Sequence, residues 1–304
     1  MRVISGILGL FLAVVAGAAQ AQLLSADQDS RVIALQIVDT KPLVPVTVDG
    51  LPGIMMFDVG TPEAAFFNRD AAVLAAGVEI ARGHAASGQV VTVQRHVAPK
   101  FAVAGQGFAL DGQIVSGDFG FAEVGYGPEF MGFVGLPAML PYAFTLDFKR
   151  KALTILRVDD KGALRAAPDA ADIRAVIAVS MASTKLPTTE AVVGDLTLPM
   201  DFDSGDGGTL YLRPETKAAM VAAGTLRQTA AGYVLGGLQF GGASFDDTRV
   251  AVIEAGSPAD FRGMGAVDLI RIGSVFLGEN PSLWNFPAGT ITFLDPDSAF
   301  LAQP

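Results

Sequence analysis

The chain is 304 residues long and 51% apolar, enough for a large core in one bilobal unit or two ordinary domains, and too apolar for intrinsic disorder. Asp and Glu outnumber Lys and Arg by 31 to 21, which disfavours a nucleic-acid or anionic-membrane partner. Cysteine is absent and only His84 and His96 offer imidazole, so disulfides and thiolate chemistry are excluded, and zinc sites and histidine-dependent triads have little to work with.

Residues 1–21 read as a secretory signal: Arg2 is the positive start, Val3 to Ala18 an apolar run, and Ala19-Gln20-Ala21 a small-x-small cleavage site. The run is shorter than the ~20 residues that span a bilayer. The expectation is a mature chain from Gln22, periplasmic or secreted, free of the membrane once the signal is cut. From Val32 the pattern turns to short alternating runs, Val32–Val38 and Val44–Val48, then a turn at Asp49-Gly50 and an apolar approach, Gly53 to Phe57, into Asp58-Val59-Gly60-Thr61. A helix is expected over Arg69 to Ala76, capped by Asn68 and ended by Gly77. Strands follow at Val90–Val93, Lys100–Val103, Phe108–Leu110, Gln113–Val115, within Phe130–Leu140, and at Phe144–Phe148 and Ala152–Leu156.

The expected organisation is a β lobe over 22–157, a linker over 158–172 rich in Asp, Gly and Pro, and a second β lobe over 173–304. In the second lobe Leu196 to Phe202 leads into Asp203-Ser204-Gly205-Asp206 and leaves through Thr209 to Leu212. Features of the first lobe then recur in the same order. Ala71–Gly77 matches Ala218–Gly224, Phe101–Phe108 matches Leu238–Phe245, Phe133-Val134-Gly135 matches Arg271-Ile272-Gly273, and Phe144–Ile155 matches Leu283–Phe293. Colinear matches imply one duplicated lobe, hence a pseudo-two-fold axis with one Asp delivered from each side.

In these residues the chain resembles the pepsin and retropepsin superfamily of aspartic peptidases, most closely its compact, bacterial bilobal form. The resemblance implies an all-β, bilobal acid-protease fold with a short helix in each lobe. It implies Asp58 and Asp203 as catalytic carboxylates, with Gly60, Thr61, Ser204 and Gly205 supporting their loops and Gly135 and Gly273 packing behind them. It further implies a peptide or protein substrate and neither metal nor cofactor. The sequence leaves the oligomeric state open, with a monomer compatible with this reading. Two adjoining carboxylates share a proton and titrate together, one activating water while the other polarises a carbonyl; aspartic proteases are the standard case of such a pair. Arg82 to Val97 offers a hairpin over the cleft, without the Tyr that the family places there.

The chain departs from that pattern at Val59, which replaces a hydroxyl residue, at Asp206 and Asp201, which add negative charge near the pair, and at Arg271, which takes an apolar slot and is expected to pair with one of these carboxylates. Two other readings follow. One is a non-catalytic peptide-binding or scaffold protein with a degenerate dyad. The other is a calcium site of Asp201, Asp203 and Asp206, whose spacing misses the EF-hand loop. Trp284 and Phe286 are expected in the core, Gly236-Gly237 and Gly241-Gly242 in turns; Phe119, Phe121 and Tyr126 either line the cleft or pack.

Overall fold

Alternation becomes burial along Lys41–Val48, where Val44, Val46 and Val48 are buried while Pro45 is exposed. Asp49 and Gly50, both at positive φ, return the chain as Leu51–Asp58 with Val48 opposite Leu51, the backbone that a two-residue hairpin turn demands. The computed structural model describes residues 23–85, 88–181, 186–245 and 247–302, so the signal sequence expected at 1–21 lies outside the described residues. No helix among the described residues is long and apolar enough to cross a membrane.

The fold is all-β and bilobal, with three sheets. The first half forms a ten-stranded sheet and the second a nine-stranded one. Their strands follow the same order. In the first, Leu51–Asp58 lies between Lys41–Val48 and Phe130–Gly135, and Ala65–Asn68 lies beyond the latter. In the second, Leu196–Phe202 lies between Thr188–Val193 and Leu269–Ile272, followed by Thr209–Leu212. The repeat extends to small hairpins: Phe101–Val103 with Gln106–Phe108 turns through left-handed Ala104-Gly105, and Leu238–Phe240 with Ala243–Phe245 through left-handed Gly241-Gly242.

The third sheet joins the halves. Its order is Ser30–Ala34, Ala152–Leu156, Ala143–Asp147, Ser282–Asn285, Thr290–Leu294, Ile173–Ala178, three strands from each half. At its centre Phe144 stands opposite Trp284, their rings stacked at 5.6 Å. Phe57 meets Phe144 edge-on at 5.3 Å, and Phe202 meets Trp284 edge-on at 5.6 Å. All four are fully buried. Phe57 and Phe202 immediately precede Asp58 and Asp203, so one aromatic column runs beneath both loops.

Each half carries short helix, but the expected helix at Arg69–Ala76 does not form. After one turn, closed by Ala72 N–H donating to Asn68 C=O at 2.8 Å, the chain runs out irregularly to Val78. The Ala75 carbonyl, which a helix would use internally, accepts from His96 Nδ1–H at 2.7 Å, and Gly77 lies so close under the His96 ring that a Cβ would collide with it. Its counterpart does become helix, over Pro214–Ala222, where Pro214 stands in the first turn and Glu215 adds favourable charge. The first half's helix is instead Gly120–Tyr126.

Candidate active site

Asp58 ends the strand Leu51–Asp58 and pairs in register with Gly135 of the neighbouring parallel strand. Asp203 follows Leu196–Phe202, and its N–H donates to Ile272 C=O at 2.9 Å. Behind each loop only glycine fits. A Cβ on Gly135 would lie 2.6 Å from Thr61 C=O, and one on Gly273 would lie 2.5 Å from Asp206 C=O. Gly135 and Gly273 thus stand where no side chain can.

The loops meet at the pseudo-axis, where the Gly205 N–H lies within hydrogen-bond distance of both Asp58 Oδ1 and Asp203 Oδ1. Asp58 Oδ1 accepts from Gly60 N–H at 2.8 Å and from Gly205 N–H, of the opposite loop, at 3.1 Å; Asp58 Oδ2 accepts from Thr61 Oγ1 at 2.7 Å. Asp203 Oδ1 accepts from Gly205 N–H at 3.0 Å and Asp206 N–H at 3.1 Å. A Cβ on Gly205 would sit 2.6 Å from Asp58 Cγ, and one on Gly60 would collide with the Asp203 carboxyl. These glycines are what allow the carboxyl groups to approach.

Ser204 locks the loops from one side. Fully buried, it accepts from Val59 N–H at 3.0 Å and donates to Phe57 C=O at 2.8 Å. Val59, also buried, brings no hydroxyl to return the grip. Asp206 turns its side chain to its own loop, its Oδ1 accepting from Gly208 N–H and Thr209 Oγ1.

One ion pair distinguishes the second half. Arg271 and Asp201, side chains 8% and 3% exposed, form a two-pronged bond of 2.9 and 2.7 Å, and Arg271 Nη1 lies 3.7 Å from Asp203 Oδ2. The equivalent pair across the first half's strands is apolar, Met56 opposite Phe133. The carboxylate partner expected for Arg271 is thus Asp201. Burial alone would lower the guanidinium pKa, but the bonds and charge of Asp201 raise it above its ordinary value. The geometry does not support the calcium reading, since Asp201 is bonded to Arg271 and the carboxyl groups of Asp203 and Asp206 accept from donors of their own loop. Among the described residues no group of three or more His, Asp or Glu side chains is placed to hold a metal ion.

Burial and then the charge of Asp58 hold the Asp203 carboxyl well above the ordinary aspartate range; Arg271 opposes the rise and Asp206 adds to it. These surroundings favour the protonated form of Asp203, while Asp58 accepts from three donors, one of them a hydroxyl.

Several contributors lie outside the sequence reading. Lys41 Nζ crosses from the first half to donate to Ser274 Oγ at 2.8 Å, and Thr40 Oγ1 lies 2.9 Å from the same oxygen. Arg262 donates through Nη2 to His84 C=O, and the Phe261 ring lies 5.5 Å from that of His84. These contacts fasten the tip of the hairpin Val78–His84/Val90–Val97 to the second half. None has a local signature, because each joins segments far apart in the chain. Phe119, left open between cleft and core, packs edge-on against Phe66 at 4.9 Å and Phe133 at 5.0 Å, and Trp284 is in the core as expected.

No known protein-family model matches the chain, and no curated protein matches it. Among solved structures it is similar to basic 7S globulin from soybean, with a TM-score of 0.54 and 8% sequence identity over 91% of this chain and 97% of that one. The assignment to the pepsin and retropepsin superfamily is therefore corrected. Two short Asp-containing turns and a packing glycine are too little to establish a family, and an identity of 8% conveys the fold alone.

Proposed function

We propose that Asp58 and Asp203 form an acid–base pair that hydrolyses peptide bonds in peptides or proteins lying between the two halves, in a periplasmic or secreted protein. The observation that carries this reading is the juxtaposition of two carboxyl groups with unequal surroundings. Asp58 receives three donors, while burial and the charge of Asp58 push the Asp203 pKa upward. In this scheme ionised Asp58 takes a proton from water as its oxygen attacks the scissile carbonyl carbon, and Asp203 gives its proton to the carbonyl oxygen. The C–N bond then breaks as Asp58 passes its proton to the leaving nitrogen, and the diol returns one to Asp203. The cycle balances without a covalent intermediate.

The test is cleavage of a mixed peptide library by the mature chain from acidic to neutral pH, beside Asp58→Asn and Asp203→Asn. Cleavage abolished in both variants supports the pair, and a folded chain that cleaves nothing refutes it. Val59 favours a second reading, a cleft that binds peptide without cutting it, because the missing hydroxyl halves the lock between the loops. Activity gained on Val59→Thr identifies a weakened hydrolase; unchanged silence identifies the binding protein.

A further inference from the structure

The hairpin of Gln36–Val38 with Lys41–Val48 turns through Asp39 and Thr40, both left-handed at φ 45° and 65°. Neither is glycine, and Thr is branched at Cβ, so this turn is strained. Such backbone persists only where its surroundings hold it. Here the holding contact is across the molecule. Thr40 Oγ1 and Lys41 Nζ converge on the fully buried hydroxyl of Ser274, 2.9 and 2.8 Å away. Ser274 N–H in turn donates to Asp206 C=O at 2.8 Å, on the loop whose Asp206 N–H donates to Asp203 Oδ1. A Cβ on Gly207 would stand 3.7 Å from the Lys41 ammonium, so the charge rests against that loop.

We propose that Lys41 is a positioning residue of the carboxyl pair: from the first half it braces the Asp203 loop through Ser274, and its charge offsets the negative charge gathered there. The role rests on the hydrolase reading above, and it gives the pair a cation from the half that neither Arg271 nor Arg262 occupies. The charges acting at Asp203 are Asp58 and Lys41 from the first half, and Asp206, Arg271 and Arg262 from the second. Lys41 itself feels burial, which lowers its pKa, against Asp206, Asp203, Asp39 and Asp58, which raise it.

The experiment is carbon-13 NMR titration of Asp58 and Asp203 in the intact chain, in Lys41→Gln and in Lys41→Arg. Gln keeps a donor for Ser274 and removes the charge; Arg keeps the charge. The expected result is that Lys41→Gln moves the pair's titration upward by about half a pH unit, the size of effect one partly screened charge produces, and that Lys41→Arg stays within a third of that shift. Where the chain is active, its pH profile moves in parallel, with kcat affected more than KM. An unmoved titration in folded Lys41→Gln, or equal shifts in both variants, overturns the proposal. If Lys41→Gln does not fold, Ser274→Ala is titrated instead: the brace predicts a displaced titration, and an unchanged one overturns it. Because titration is read without substrate, it decides the role of Lys41 separately from whether the chain cleaves peptides.

Discussion

Replacing the Asp201–Arg271 pair with its apolar counterpart from the first half is expected to spare stability that either single replacement destroys. Both side chains are buried, at 3% and 8% exposure, which puts the pair in the regime where a lone survivor is an unpaired interior charge. Arg271→Phe alone, or Asp201→Met alone, is expected to cost about 3–5 kcal/mol. The double variant recreates the Met56–Phe133 pairing seen at the equivalent register and removes both desolvation penalties. It is expected to lie within about 1–2 kcal/mol of the parent, so the two changes should couple by several kcal/mol rather than add. Urea unfolding followed by fluorescence reports this directly, since Trp284 is the single Trp of the chain and sits between the halves. Two singles that each cost under about 1 kcal/mol and add would refute the argument, because that is how a solvated surface pair behaves. The double variant also strips Asp203 of a cation 3.7 Å away, so its carboxyl should titrate higher still.

Stability should fall as pH rises from the ordinary aspartate value, about 4, through the raised value of folded Asp203, because over that window the native state holds a proton that the unfolded chain has released. Urea midpoints across pH should show this slope, and Asp203→Asn should flatten it. Ser204→Ala should cost about 1–3 kcal/mol by leaving Val59 N–H unpaired in the interior, whereas Val59→Thr, by supplying the second hydroxyl, should raise stability by about 1 kcal/mol; thermal or urea unfolding distinguishes the two signs. Arg262→Ala should free the hairpin tip and speed hydrogen exchange at Ala85, whose N–H donates to Gln89 C=O across it, with protection in the central sheet unchanged.

The strand Lys41–Val48 was legible at Val44, Val46 and Val48, because the period of two is written into the residues, whereas the strand expected at Phe108–Leu110 lies at Gln106–Phe108. The Asp58 and Asp203 turns were legible for a related reason: glycine after each Asp answers a steric need that no other residue meets. Helix was misread where tertiary bonding intervened, since nothing near Ala71–Gly77 in the sequence announces that His96 claims the Ala75 carbonyl. The helix Gly120–Tyr126 escaped because it is only 7 residues long and buries no side chain fully, so it carries no periodic stripe. Lys41 escaped for the plainest reason: the hydroxyl it serves is 233 residues away. Duplication was visible as motif order, while the exchange of Met56 and Phe133 for Asp201 and Arg271 acquires meaning only once the two registers are laid side by side.

The aromatic column of Phe57, Phe144, Trp284 and Phe202 acts as a fulcrum. It is fully buried, it lies directly under the residues that bear the carboxyl groups, and it is shared equally by the halves. Were one half to rock against the other about this point, the distant rim, where Arg262 grips His84, would swing through a long arc while the two carboxyl groups, close to the pivot, would barely separate. A cleft built this way can widen for entry without dismantling the pair at its floor.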